Sequence, residues 1–148
     1  MKTFVKWTRL LVLALLLAPV AAAASTDAPT LRRAEWKAIE QAIGQQRTAL
    51  KAGDGARALT FATPALRDQF GSVDRFMRMV HDGFAPLLAA RETKFLEGAV
   101  IEGTVIQPLR LILPDNTVLV AIYQMEKQKD GRWKIAGCVL APSTVQAT

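Results

Sequence analysis

Few side chains in this sequence can move protons or act as nucleophiles. The chain has one histidine, His81, one tyrosine, Tyr123, and one cysteine, Cys138. An imidazole titrates near neutral pH and could exchange a proton with substrate. Asp82 follows His81 directly, but adjacent residues on a helix do not share a face, so the two are not a natural dyad. A histidine in a last helical turn followed by Gly83 also fits a plain helix end. Tyr123 alternates with Leu119, Ala121 and Met125, which places it on one face of a strand. If that face meets helices, the phenol sits in a core or pocket and needs a partner. Asp68 and Arg67 lie beside apolar Leu66 and Phe70. Arg67 could hold an anionic group, Asp68 could serve an acid–base pair with Tyr123, and a solvated helix face explains both as well. Cys138 lies among small and apolar residues, where a free thiol is more often packing than chemistry.

Larger constellations are missing from the sequence. One His and one Cys do not make a zinc site of the usual kind. Gly53-Asp54-Gly55 lacks the lysine and spacing of a phosphate loop. No GxSxG elbow and no calcium loop is present. The sequence therefore predicts no cofactor and no metal. Trp36, Phe61, Phe70, Phe76, Phe84, Phe95 and Trp133 recur with the core periodicity, as packing rather than a base-stacking platform.

The elements that must position these residues follow an N-terminal targeting pattern. Lys2, Lys6 and Arg9 precede the apolar run Leu10 to Leu17. Pro19 then breaks the helix, and small residues at 21–25 suit a signal peptidase. This predicts a signal peptide over 1–24, cleaved after Ala24 or Ala23, and a periplasmic or secreted protein. The apolar run is too short for a spanning helix, and no cysteine follows it for a lipid anchor, so no stable membrane attachment is expected after cleavage. Of the 19 Lys and Arg, three leave with the signal, so 16 face 13 acids and the formal charge falls from +6 to +3. Without a dense cluster, that charge gives no nucleic-acid footprint.

Residues 25–30 read as a lead-in, 31–141 as a single domain and 142–148 as a tail. From Leu31, Ile39, Ala42, Ile43, Gln46, Ala49 and Leu50 recur at helical spacing until Gly53. Asp54 caps a second helix reaching Phe61 or Ala62. Thr63-Pro64 starts a third, ended by Gly71. Ser72 caps a fourth, ending at His81-Asp82-Gly83, and Pro86 allows a short fifth segment. The period then changes to that of strands, at about 93–102, 104–113, 117–128 and 132–140. Turns at Pro114-Asp115-Asn116 and Lys129-Asp130-Gly131 force antiparallel neighbours. Pro108 implies an edge or a bulge. The expected fold is α+β, with N-terminal helices on one face of a curved four-stranded antiparallel sheet.

The runs Thr63-Pro64-Ala65-Leu66-Arg67-Asp68-Gln69-Phe70-Gly71, Phe76-Met77-Arg78-Met79-Val80, Pro86, and Asp130 to Leu140 resemble successive marks of the bacterial family named domain of unknown function 4864. The resemblance spans Trp36 to Leu140 and rests on order and spacing. It implies an NTF2-like or cystatin-like fold and no particular activity.

The sequence thus favours an exported, non-catalytic module that binds a small apolar ligand or a protein partner in a helix–sheet cleft, with Arg67 and Tyr123 as candidate contacts. The alternative is a cofactor-free acid–base enzyme of isomerase or dehydratase type, using Tyr123 with His81 or Asp68. The third predicted strand is apolar in both phases: Val118, Val120 and Ile122 as well as Leu119 and Ala121. This suggests homodimerisation through the open sheet face.

Overall fold

The structure is a computed structural model that describes residues 30–143. The predicted signal peptide, most of the lead-in and the end of the tail lie outside the described residues. Five helices come first: α1 (Arg33–Lys51), α2 (Gly55–Leu59), α3 (Pro64–Phe70), α4 (Val73–Gly83) and α5 (Ala85–Ala89). Five strands follow: β1 (Glu92–Phe95), β2 (Ala99–Ile101), β3 (Thr104–Ile112), β4 (Val118–Lys127) and β5 (Trp133–Pro142). The fold is α+β.

Local chemistry sets the helix limits. Glu35 reaches back to accept from the Arg32 backbone N–H at 3.2 Å, closing the open start of α1. The side chains of Asp54, Thr63 and Ser72 accept from Arg57, Leu66 and Arg75 backbone N–H groups at 3.0, 3.2 and 3.2 Å. Each is the oxygen-bearing cap that the sequence placed there. Gly71 ends α3 with φ of 75°, a conformation that any Cβ would strain.

All strand pairings are antiparallel, in the order β1-β3-β4-β5, with β2 also paired to β3. The expected first strand of four is two strands. β1 pairs with residues 109–112 of β3 and β2 with residues 104–106. The break between them is Leu96-Glu97-Gly98. Pro108 therefore occupies neither an outer edge nor a bulge. It lies inside β3, opposite Ile122 of β4. Its carbonyl accepts from the Leu96 N–H at 3.0 Å. Because N and O of one strand residue point the same way, its missing donor faces the interruption between β1 and β2, where a ladder bond is not demanded.

One face of the sheet carries Val105, Gln107, Leu109, Leu111, Ala121, Tyr123, Met125 and Ile135, all buried. All of these but the polar Gln107 pack with Ile39 and Ile43 of α1 and Leu87 of α5 in the main core. Leu50, Ala49, Ala58, Phe76 and Val80 form a second cluster among the helices. The opposite face carries Ile106, Pro108, Val120, Ile122 and Val139.

An uncovered cavity beside a bulged edge strand

Between the two clusters lies a cavity of about 300 Å³. Its floor is Tyr123 of β4 and the stretch Ile135 to Cys138 of β5; Gln46 and Leu50 of α1 and side chains of α3, α4 and α5 form the rest. The local backbone explains why it exists. The free edge of β5 is covered at one point only in this region: Ile135 N–H donates to the Phe61 carbonyl at 2.8 Å, and Thr63 N–H donates to the Ile135 carbonyl at 2.9 Å. This short parallel bridge anchors the α2–α3 junction to the sheet. Immediately beyond it the β4–β5 register shifts, Met125 pairing with Ile135 but Gln124 with Gly137, so Ala136 is the extra residue of a bulge. A bulge bends and twists the strand that carries it. The α3 helix is pinned at Ile135 while the strand turns at Ala136, and the space between them is not filled.

The lining residues include no Asp, Glu, Lys or Arg. The polar members are Gln46, Gln69, Tyr123 and Cys138. Gln69 is exposed, which puts the mouth of the cavity at α3. The Gln46 amide donates to the Ala58 carbonyl at 3.5 Å. Tyr123 is 1 % exposed, and its hydroxyl has no hydrogen-bond partner. Among the described residues, Arg47 Nε and Arg110 Nε are the other buried side-chain nitrogens or oxygens in that state.

Burial dominates the electrostatics here. Loss of solvation drives the Tyr123 phenol far above its ordinary value, the neighbouring Cys138 adds to the rise, and the Arg47 charge pulls the other way. The phenol is a neutral hydrogen-bond donor throughout the physiological range. Burial likewise pushes the Cys138 thiol up to about 12. A thiol that stays protonated is a poor nucleophile. Cys138 is paired in register with Tyr123, so both side chains leave the sheet on the same face.

The candidates singled out from the sequence are divided by the fold. Tyr123 lines the cavity. His81, in the last turn of α4, and Asp68 and Arg67, on α3, are exposed and are not among the lining residues. The cavity thus holds one of the three groups that an acid–base pairing would combine. Gln46 and Gln69 were not recognisable as lining residues from sequence. Gln46 had a signal: it recurs at core spacing on α1, where an uncharged polar residue needs a partner. Two other clefts, of about 450 and 560 Å³, flank Trp36 and Trp133. Neither is lined by a residue with an unpartnered buried polar atom.

The profile of one protein family, described as Domain of unknown function (DUF4864), matches residues 32–148. The chain belongs to this family. No curated protein and no solved structure matches it. The family's description names no activity, so the chemistry of the site rests on the residues just described.

Proposed function

We propose that the protein is an exported, non-catalytic binding module that takes a small, mainly apolar molecule with one hydrogen-bond acceptor. The observation that carries this reading is the Tyr123 hydroxyl, buried without a partner beside an apolar cavity. An unsatisfied buried hydroxyl costs about 1–3 kcal/mol. A bound acceptor would recover that energy, and the surrounding Leu50, Leu66, Phe70, Phe76 and Met79 would shield the pair from water. The volume falls at the lower end of small-molecule sites. The hydroxyl is screened from solvent, so a ligand reaches it by displacing side chains. Met79, unbranched and flexible, is suited to that movement. The helix-then-sheet order with a cleft between the layers also supports an NTF2-like or cystatin-like arrangement.

The test uses the neutral fluorescent probe N-phenylnaphthylamine with the purified protein. Saturable, single-site enhancement is expected. It should disappear in Ala136→Trp, which fills the cavity at the bulge, provided circular dichroism shows a folded variant. No saturable binding, or binding unchanged by Ala136→Trp, would overturn the reading. Export is tested separately by the intact mass of protein from the periplasm or medium, expected to begin at Ser25 or Ala24. Full-length chain confined to the cytoplasm would contradict it.

A second reading, self-association, is favoured by the other sheet face. Val139 is 58 % exposed and pairs with Ile122, which in turn pairs with Pro108. The aliphatic strip is rimmed by both charge signs, Lys94 and Arg110 with Glu92 and Glu126, so a two-fold related copy can match opposite charges. Light scattering after size exclusion should show a dimer, and Val139→Glu a monomer. A wild-type monomer at high concentration would remove this reading.

A further inference from the structure

The proposed ligand has a polar end, and the surroundings of Tyr123 bear on what that end is. Arg47 is the relevant neighbour. It follows Gln46, which lines the cavity, on α1. Its Nη2 donates to the carbonyl of Leu87, another lining residue, at 3.3 Å, and its Nη1 donates to Thr93 Oγ1 at 3.3 Å. The guanidinium therefore sits directly behind the cavity wall. Its Nε is buried and unpartnered.

The charge is also uncompensated. Arg110, whose Nε is buried in the same way, has Glu92 at 3.9 Å. Arg32, Arg91 and Arg132 likewise have carboxylates within 4.0 Å, and the described arginines without one other than Arg47, at positions 33, 57, 67, 75 and 78, are exposed to water. Arg47 has none among the described residues, only a hydroxyl and a carbonyl. Arg47 is part-buried, and a guanidinium with one nitrogen buried and unpartnered and no anion beside it would gain from a nearby negative charge. No carboxylate lines the cavity to fill that role or to repel an incoming anion. Arg47 also lies close enough for its field to act on the Tyr123 phenol.

We infer that the cavity takes an apolar carboxylic acid, with its carboxylate received by the Tyr123 hydroxyl and the Arg47 guanidinium behind the wall as its counter-charge. This rests on the binding reading above and narrows it to one class of ligand. The tyrosine donates a hydrogen bond to an ionised oxygen, which is stronger than one to a neutral acceptor. The positive field behind it favours an anion over an alcohol and opposes an amine.

The experiment compares octanoate, octanol and octylamine by calorimetric titration of the full mature protein at neutral pH. Octanoate should bind about tenfold or more tighter than octanol, and octylamine weakest. Tyr123→Phe, which removes one oxygen and leaves the ring, should reduce that preference at least severalfold. Arg47→Met should bring octanoate and octanol to similar affinity, while Arg47→Lys keeps part of the preference. If Arg47→Met fails to fold, the Tyr123→Phe and Arg47→Lys comparisons still decide. Octanol binding as tightly as octanoate would overturn the carboxylate inference alone. Binding of none of the three, together with failure of the neutral fluorescent probe, would overturn the binding reading as well.

Discussion

Gln107 and Tyr123 are cross-strand partners on the same buried sheet face, yet one is satisfied and the other is not. Each is 1 % exposed. The Gln107 amide donates to the Leu96 and Pro108 carbonyls at 2.8 and 3.0 Å. Those acceptors exist because the neighbouring edge is interrupted between β1 and β2, which leaves the Leu96 carbonyl free of a ladder. Tyr123 pairs with Cys138 of β5, next to the register shift between Gln124 and Met125. No group accepts a hydrogen bond from its hydroxyl, and the bulged Ala136 lines the cavity there. The same sheet thus has a closed end, where an irregularity consumes a polar group, and an open end, where an irregularity leaves one unused. A difference of this kind marks where a ligand would gain most.

The comparison is broken most severely at the closed end. Gly98 packs flat on Trp36: a Cβ there would lie 2.3 Å from the ring. Gly98→Val should lower unfolding free energy by about 3 kcal/mol, read from urea denaturation, because the ring and the Leu96–Gly98 link must separate. Gly55→Ala is the control. Its Cβ would meet Met77 Cγ at 2.6 Å and Val73 Cγ1 at 2.8 Å, but Met77 is unbranched and Val73 is exposed at the start of α4, so both can shift and the loss should be smaller.

The paired substitutions at Gln107 and Tyr123 sharpen the contrast. Gln107→Leu should cost about 2 kcal/mol by stranding the Leu96 carbonyl. Tyr123→Phe removes a hydroxyl that has no partner, so the unliganded protein should keep its stability or gain up to about 1 kcal/mol. Equal losses from the two would show that the open end is not open.

Alkaline pH gives a smaller effect at the open end. The Cys138 thiol ionises more readily in the unfolded chain, near its ordinary value of 9.0, than in the folded protein at about 12. Between those values the unfolded state binds fewer protons, so stability is full below pH 9 and falls as pH rises toward 12. Cys138→Ala should flatten that fall, measured as melting temperature against pH. Smallest of all, His81→Ala and Asp68→Ala should each change stability by less than about 0.5 kcal/mol and leave octanoate affinity unaltered, since both side chains are exposed and away from the cavity.

Much of the fold is legible from short-range chemistry. Asp54, Thr63 and Ser72 are caps because a short oxygen-bearing side chain one turn ahead of an apolar helix has a backbone N–H to bond. The Asp130-Gly131 turn is legible because Gly131 takes φ of 83°, which that pair of residues tolerates. The face that carries Ala121, Tyr123 and Met125 follows from alternation alone. Gly98 reads in the sequence as a bulge or bend, but a full split of the first strand at Leu96-Glu97-Gly98 is not legible, because the ring that Gly98 must accommodate belongs to a helix some sixty residues earlier. Pro108 signalled an irregularity whose location, in the neighbouring strand rather than its own, depends on pairing.

The sequence by itself determined the order of helices and strands, the hairpin turns and the strand face that Tyr123 shares with Ala121 and Met125, all of which depend on residues within a few positions of one another. Only the tertiary structure decided that Arg67, Asp68 and His81 face solvent, that Cys138 and Gln46 stand beside the tyrosine, and that the hydroxyl lacks a partner. Those facts depend on how far the α2–α3 junction is held from a bulged strand and on where an arginine from α1 spends its hydrogen bonds. Local propensity carries no information about distances between segments so far apart in the chain.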